Sequence, residues 1–124
     1  MVNKKCFDER LVELSCLKHG WLDGEGSSIS IEALESSKDF IYSLVNENFV
    51  YPVAFPEYNG GIILEWFNDS IGISIDIDNS GKTLILSAYS FINKQDFNCN
   101  ATIDNTYEIK KKLEECLNIL RNIH

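Results

Sequence analysis

The sequence predicts one α+β domain of two layers, in which helices pack on one face of a four-stranded antiparallel meander. Three segments repeat apolar residues every three to four positions, as one face of a helix does, and a block between them repeats apolar residues at every second position, as a strand does. Short turns containing Gly, Asn and Asp join the strand segments, which is typical of hairpins. The chain of 124 residues is long enough for one core, so residues 1–124 are predicted to be a single domain.

Two helices are predicted before the sheet. The first spans residues 7–18 and is followed by Gly20 as a C′ residue. Its apolar face consists of Phe7, Leu11, Leu14 and Leu17. The second helix begins at one of three candidate N-caps, Ser27, Ser28 or Ser30, and ends at Asn46-Glu47-Asn48. Its apolar face consists of Ala33, Leu34, Phe40, Ile41, Leu44 and Val45.

Four strands are predicted next, at residues 51–56, 62–67, 70–78 and 82–89. The first contains Pro52 and Pro56, and proline cannot donate a ladder hydrogen bond, so this strand is expected at an edge of the sheet. In the second, the alternation with Ile62 and Leu64 places Trp66 in the core and Glu65 on the outer face. The third has the clearest alternation, through Ile71, Ile73, Ile75 and Ile77.

The last part of the chain is predicted to close the domain with a helix. Residues 90–105 have no clear pattern, and the part from Ser90 to Cys99 fits either a loop or a fifth, irregular strand. The run Asn105-Thr106-Tyr107-Glu108 has the spacing of a capping box, which predicts a helix start. The apolar stripe of that helix consists of Ile109, Leu113, Cys116, Leu117, Leu120 and Ile123.

A glycine-rich segment between the first two helices is the most unusual stretch of the chain. Gly20, Trp21, Gly24 and Gly26 are interpreted as a structural loop, with the indole fixing the loop to the core. Asp23 is expected to cap backbone N–H groups of its own turn. Asp23 and Glu25 could instead form a carboxylate pair for acid–base chemistry or a metal, but neither a His nor a third acid lies near them in the sequence.

Other patterns that could carry chemistry are weak. The run Asp76-Ile77-Asp78-Asn79-Ser80-Gly81 begins like a calcium loop, but Ser87 stands where a bidentate Glu is required, so a hairpin turn is favoured. Cys16 and His19 share a helical spacing, yet nothing visible orients the imidazole, which fits a dipole partner at a helix end better. The sequence therefore predicts no catalytic residue, no cofactor and no metal.

Charge and cysteine usage narrow the function further. A net charge of −8 opposes direct binding of nucleic acid, whose affinity comes from Lys and Arg on phosphates. An acidic surface instead suits either simple solubility or a basic protein partner that is steered in by charge. No apolar run is long enough to span a membrane, and the N-terminus lacks the apolar region of a signal peptide. The four cysteines show no C-x-x-C spacing and are expected to be buried free thiols in a reducing, cytoplasmic setting.

Several short motifs follow one another in a characteristic order. They are Gly20-Trp21, Asp23-Gly24-Glu25-Gly26, Ser30, Glu32-Ala33, Pro52, Pro56, Gly60-Gly61-Ile62 and Leu64-Glu65-Trp66. This order resembles a family of small bacterial proteins with a G-W-D-G-E-G loop and a G-G-x-x-L-E-W strand, from which Leu22 departs as an additional residue after the Trp. The resemblance implies an accessory protein of mobile elements, of the kind found beside toxin, antitoxin or defence genes.

The leading hypothesis is a non-enzymatic, acidic interaction module, antitoxin-like or inhibitory, that binds a basic protein surface. The residues expected to contact the partner are Asp23, Glu25, Glu65, Asp69, Asp76 and Asp78. One alternative is a small-molecule or enzymatic site in which Trp21 and Trp66 wall a pocket and Asp23, Glu25 or Glu65 points inward. Another is a dimeric chaperone of secretion effectors, which predicts a homodimer with an exposed apolar groove.

Overall fold

A computed structural model describes residues 2–46 and 49–122, and it has three helices and one five-stranded sheet. The helices are α1 (Lys4–Ser15), α2 (Ile31–Tyr42) and α3 (Tyr107–Asn122). The strands are β1 (Val53–Pro56), β2 (Ile62–Phe67), β3 (Ile71–Ile77), β4 (Thr83–Ser90) and β5 (Gln95–Thr102). The strand order is β1-β2-β3-β4-β5, and each neighbouring pair is antiparallel. The α+β class and the meander are therefore confirmed.

The prediction of four strands is wrong, because residues 95–102 form a fifth. β5 pairs with β4 along its whole length, from Thr83↔Thr102 to Ser90↔Gln95. Phe97 lies opposite the buried Ala88, so β5 does alternate between the two faces of the sheet. Its pattern is faint because Cys99 and Ala101 are small and because most of this edge strand is exposed.

One face of the sheet forms the core together with the helices. The inward residues of β3 are its four isoleucines, and all four are buried. Trp66 is 3% exposed on the same face, and its indole Nε1 donates to the Val50 carbonyl at 2.7 Å. The prediction that Trp66 faces the core and Glu65 faces outward is confirmed.

The helix boundaries differ from the predicted ones at both ends of α1. Asn3 caps the helix by accepting from the Cys6 amide at 2.9 Å, so α1 begins before residue 7. It ends at Ser15 with Cys16 as its C-cap, and Gly20 is therefore not its C′ residue. In the described residues no helix is long and apolar enough to cross a membrane.

The other two helices follow the prediction more closely. Ser30 is the N-cap of α2 and accepts from the Ala33 amide at 3.0 Å, which selects it among the three candidate serines. The helix ends at Tyr42, so Val45 lies beyond it and is exposed. The predicted stop at Glu47-Asn48 and the last stripe residue, Ile123, lie outside the described residues. The remaining α3 stripe faces the core: Ile109, Leu113, Cys116, Leu117 and Leu120.

The two edges of the sheet are built differently. β1 is an edge strand, as its prolines predict, and has only four residues. Arg10 of α1 donates from Nε to the Ala54 carbonyl of β1 at 3.0 Å, which occupies an acceptor of this edge. β5 is the other edge, with eight residues and no strand beside it in the described chain.

Candidate functional site

The helices cover only one face of the sheet, and the side chains on the opposite face are not part of the core. Strand register and burial identify the side chains that point away from the helices, and we call this set the outer face. It consists of Val53, Phe55, Ile63, Glu65, Phe67, Gly72, Ser74, Asp76, Thr83, Ile85, Ser87, Tyr89, Asp96, Asn98, Asn100 and Thr102. None of them belongs to the buried core.

The charge on the outer face has a single sign. The five strands contain three charged residues, Glu65, Asp76 and Asp96, and all three are acidic and point outward. No Lys, Arg or His occurs in any of these strands. Glu65 and Asp76 therefore have no cation beside them on the sheet, whereas Asp96 shares a cleft at the sheet edge with Lys94 and Lys112. The centre of the outer face thus favours a cationic partner.

Asp76 lies in an apolar setting. Its neighbours across the sheet are Ile63 on β2 and Ile85 on β4. Partial burial raises the pKa of Asp76, because the charged form loses water there. Burial, followed by the negative charge of Asp76, also raises the pKa of Glu57 in the turn after β1. Within residues 2–46 and 49–122 the Asp76 carboxylate has no hydrogen-bond or ion-pair partner, so its charge is not compensated.

Aromatic side chains and a glycine shape a groove in the same face. Phe67, Gly72, Tyr89 and Asp96 lie side by side on four adjacent strands. Because Gly72 has no side chain, the row has a gap between the two rings. The gap opens into a groove of about 370 Å³ that is also lined by Glu65, Ser74, Ser87 and Asn98, and we call it the Gly72 groove.

The two turn carboxylates of the predicted set differ in availability. Asp69 is exposed in the β2–β3 turn, where the neighbouring Asn68 amide oxygen accepts from the backbone N–H groups of Ser70 and Ile71. Asp78 is used inside the β3–β4 turn, where it accepts from Ser80 Oγ at 2.7 Å. Burial alone would raise the pKa of Asp78, but hydrogen bonds from Ser80 and Thr83 outweigh it and lower that pKa. The Asp78 carboxylate therefore stabilises its own turn and is less available to a partner than Asp69.

The glycine-rich segment is a miniature β-hairpin. Leu22 and Glu25 exchange two backbone hydrogen bonds, at 2.7 and 2.8 Å, and the Gly20 amide donates to the Gly26 carbonyl at 2.7 Å. Asp23 and Gly24 form the tip, with φ of +49° and +90°. Positive φ at both central residues is the requirement of a type I′ turn, for which Asp-Gly is a preferred pair. The segment that the sequence indicates as a structural loop thus has a specific form, a hairpin, that the glycine pattern alone does not predict.

Trp21 closes this hairpin on itself. Its Nε1 donates to the Ser27 carbonyl at 2.7 Å, and its ring lies so close to Gly26 that an added Cβ there would be 2.8 Å from Cε2. Trp21 is half-buried and does not join the hydrophobic core, so the expectation that it fixes the loop to the core is wrong. The Ser27 amide, which donates to the Tyr58 carbonyl at 2.6 Å, attaches the hairpin to the β1–β2 turn.

The acidic residues of the hairpin do not join the outer face. Asp23 and Glu25 are exposed, and Asp23 caps no backbone N–H in the described chain, contrary to the prediction. Trp66 points into the core while Glu65 points outward, so the alternative pocket walled by Trp21 and Trp66 does not form around these carboxylates. The predicted contact set is therefore divided between the sheet (Glu65, Asp76), the turns (Asp69, Asp78) and the hairpin.

The cysteines and the acidic residues are the groups that could otherwise form a reactive or metal-binding site. Cys116 is buried, and desolvation raises its pKa to about 11. Cys6 and Cys16 are exposed, so the expectation of buried thiols is wrong for them. Among the described residues no group of three or more His, Cys, Asp or Glu side chains is arranged to hold a metal ion.

Sequence reasoning missed part of this surface. Asp96 belongs to a segment whose sequence fits either a loop or a fifth strand, and Phe67, Gly72 and Tyr89 are distant in the sequence, so that only the strand register brings them together. The signal was present in the alternation of Asp96, Asn98 and Asn100 with Phe97, Cys99 and Ala101. Pairing this segment with β4 would have placed its polar set beside Tyr89 and Ser87.

Comparisons with protein-family models, with curated proteins and with solved structures each found no match, and the similarity to the small bacterial family therefore stays a resemblance.

Proposed function

We propose that this chain is a non-enzymatic interaction module that binds a basic protein through its outer face, as an inhibitor or antitoxin-like accessory protein. One observation carries the proposal: the charged residues of the five strands are three carboxylates on the face that the helices leave uncovered. The net charge of −8 adds a long-range field of the same sign, which accelerates encounter with a basic partner.

The setting of the carboxylates also favours binding. Asp76 is partly desolvated without a compensating cation, and Ile63 and Ile85 lie beside it. A Lys or Arg of the partner would neutralise this charge while the partner's apolar atoms cover the isoleucines. Interfaces with an apolar centre and charge complementarity gain both affinity and specificity from this arrangement. Asp23 and Glu25, on the hairpin, add to the negative electrostatic potential around the outer face but do not belong to the proposed contact surface.

Affinity capture followed by a charge-reversal comparison tests the proposal. The tagged protein is used to capture partners at low salt, and the dissociation constant of the purified pair is measured by calorimetry between 50 and 500 mM salt. We expect a partner with a basic surface and a loss of affinity of about tenfold or more with added salt. An acidic partner, or binding that is indifferent to salt, contradicts the proposal.

Two double variants with the same net charge locate the binding surface. Glu65→Lys with Asp76→Lys reverses the outer face, and Glu13→Lys with Glu35→Lys reverses two exposed helix positions. Binding should be lost in the first and retained in the second. Equal losses would mean that only the overall charge matters, and the outer face would not be the docking surface.

Sizing chromatography separates this proposal from the dimeric chaperone. The outer face also exposes apolar residues, including Phe55, Phe67 and Ile85, which a chaperone of unfolded effectors would need. A chaperone of that kind would elute as a dimer and bind apolar peptides independently of salt. We expect salt-sensitive binding of a folded, basic partner instead.

A further inference from the structure

The Gly72 groove contains a slot between two aromatic rings, and a third ring lies beside it. Phe67 and Tyr89 lie on either side of Gly72 in one cross-strand row, and the strands that carry them are about 10 Å apart, two strand spacings. Phe91 lies next to Gly72 without lining the groove, since two of its ring atoms would be 4.0 Å from a Cβ on Gly72. Tyr89 and Phe91 also contact each other edge to face, with ring centroids 5.2 Å apart.

A carboxylate and two hydroxyls lie along one side of the slot. Glu65 is two residues before Phe67 on β2, so both side chains point outward from one strand. Ser74 and Ser87 continue the Glu65 row across β3 and β4. Phe67 is 70% exposed, so the slot is open to solvent and accessible to a partner.

We propose that this slot receives an arginine side chain of the basic partner, a proposal that rests on the function given above for its choice of a protein ligand. The guanidinium group enters above Gly72, stacks on the rings of Phe67 and Tyr89, and donates to the Glu65 carboxylate. The charge of Asp96, at the end of the same row, adds to the negative potential around the slot.

The shape of the slot favours arginine over lysine. A guanidinium group is flat, so it can lie against aromatic faces and still donate two parallel hydrogen bonds to one carboxylate. An ammonium group is compact and strongly hydrated, and it cannot fill a gap that is one residue wide between two rings. Cation–aromatic contacts of this kind are worth about 0.5–2 kcal/mol, which corresponds to roughly twofold to thirtyfold in affinity.

Gly72 offers a variant that closes the slot without damaging the sheet. A Cβ at Gly72 would make only ordinary contact with Phe91, and φ at this position is not in the left-handed region. Gly72→Val should therefore keep the fold, since valine is favoured in strands, while its methyl groups occupy the gap between the rings. Asn100→Val is the matched control, because it places the same side chain on the outer face outside the Gly72 groove.

Nuclear magnetic resonance titration with two short peptides tests the proposal on the intact chain. The probes are acetyl-Ser-Arg-Ser-amide and acetyl-Ser-Lys-Ser-amide, which carry the same charge. We expect the arginine peptide to bind about fivefold more tightly and to shift the amide signals of Phe67, Gly72 and Tyr89. Gly72→Val should weaken arginine binding at least fivefold, and Asn100→Val should leave it unchanged.

Glu65 is tested with a neutral replacement. Glu65→Gln should reduce the preference for the arginine peptide, whereas Glu35→Gln, at an exposed position of α2, should not. Equal affinity for the two peptides, or arginine binding that survives Gly72→Val, overturns the proposal.

The outcomes also separate the slot from the wider function. If a basic partner binds through the outer face but is unaffected by Gly72→Val, the slot proposal fails while the interaction module stands. If the arginine peptide binds the slot but no basic partner docks on the outer face, the interaction module fails while the slot stands.

Discussion

Replacing Gly26 by alanine should destabilise the protein more than the same change at Gly24, although both glycines lie in one seven-residue hairpin. The φ angles are nearly equal, +94° at Gly26 and +90° at Gly24, so each substitution meets a backbone cost of about 1–2 kcal/mol. The surroundings differ. A Cβ on Gly24 meets nothing within 4 Å, whereas a Cβ on Gly26 would be 2.8 Å from Cε2 and 2.9 Å from Nε1 of Trp21.

The additional cost at Gly26 follows from moving the indole. Displacing Trp21 breaks its 2.7 Å hydrogen bond to the Ser27 carbonyl, a loss of about 1 kcal/mol, and reduces its packing by a similar amount. Gly26→Ala should therefore cost about 3 kcal/mol and Gly24→Ala about 1 kcal/mol. At roughly 4 °C per kcal/mol for a chain of this size, the melting temperature should fall by about 12 °C and about 4 °C.

Urea unfolding followed by far-ultraviolet circular dichroism measures both values, and a double-mutant cycle identifies their origin. In a Trp21→Ala background the clash is absent, so Gly26→Ala should cost only as much as Gly24→Ala, with a coupling energy of about 1–2 kcal/mol. Equal costs for the two single variants, or a Gly26→Ala cost that persists without the indole, would refute the reasoning.

Three further predictions concern other parts of the chain. Ser30→Ala removes the hydrogen bond from the Ala33 amide to the Ser30 side chain and the 2.6 Å hydrogen bond to the Asn79 carbonyl. Urea unfolding should therefore show that the free energy of unfolding falls by about 1–2 kcal/mol. The control Ser28→Ala, at an exposed position, should change the free energy of unfolding by no more than about 0.5 kcal/mol. Asp76→Asn should stabilise the protein at pH 7, because the pKa of Asp76 is raised in the folded state and its charge therefore costs stability above that pKa. The advantage of Asn should vanish in unfolding curves measured below about pH 3.9, where Asp is protonated in both the folded and the unfolded state. An advantage that is constant with pH would contradict this origin. Iodoacetamide at pH 8 should modify Cys6 and Cys16 in the folded protein and Cys116 only after denaturation, as read by mass spectrometry, since burial both shields the Cys116 thiol and raises its pKa to about 11.

Burial on one face made most of the fold predictable. β3 alternates four isoleucines with small or polar residues, so its face and its neighbours could be inferred. β5 has the same period, but its inward residues are Phe97, Cys99 and Ala101 on an exposed edge. Its strand character depends on pairing with β4, which is a tertiary effect that local hydrophobicity does not record.

The site was predictable in part for the same reason. Glu65 and Asp76 lie on strands with clear alternation, so their outward direction could be read from the sequence. Gly72, Phe67 and Tyr89 meet across three strands, and only the register brings them into one row. In the hairpin, Asp23-Gly24 is a strong type I′ signal, but the glycine-rich segment as a whole indicates only a structural loop.

The unequal edges of the sheet limit how these molecules can associate. β1 is short, contains Pro56 and gives its Ala54 carbonyl to Arg10, so it disfavours the addition of another strand on that side. β5 is hydrogen-bonded to β4 on one side only, and along its other side it has no strand beside it in the described chain and no proline among its eight residues. Two copies that pair through β5 would join into one ten-stranded sheet whose two outer ends are both β1 strands. Any edge-to-edge pairing of this protein would therefore stop at two molecules, because each copy has one edge open to another strand and one edge that is short and partly occupied.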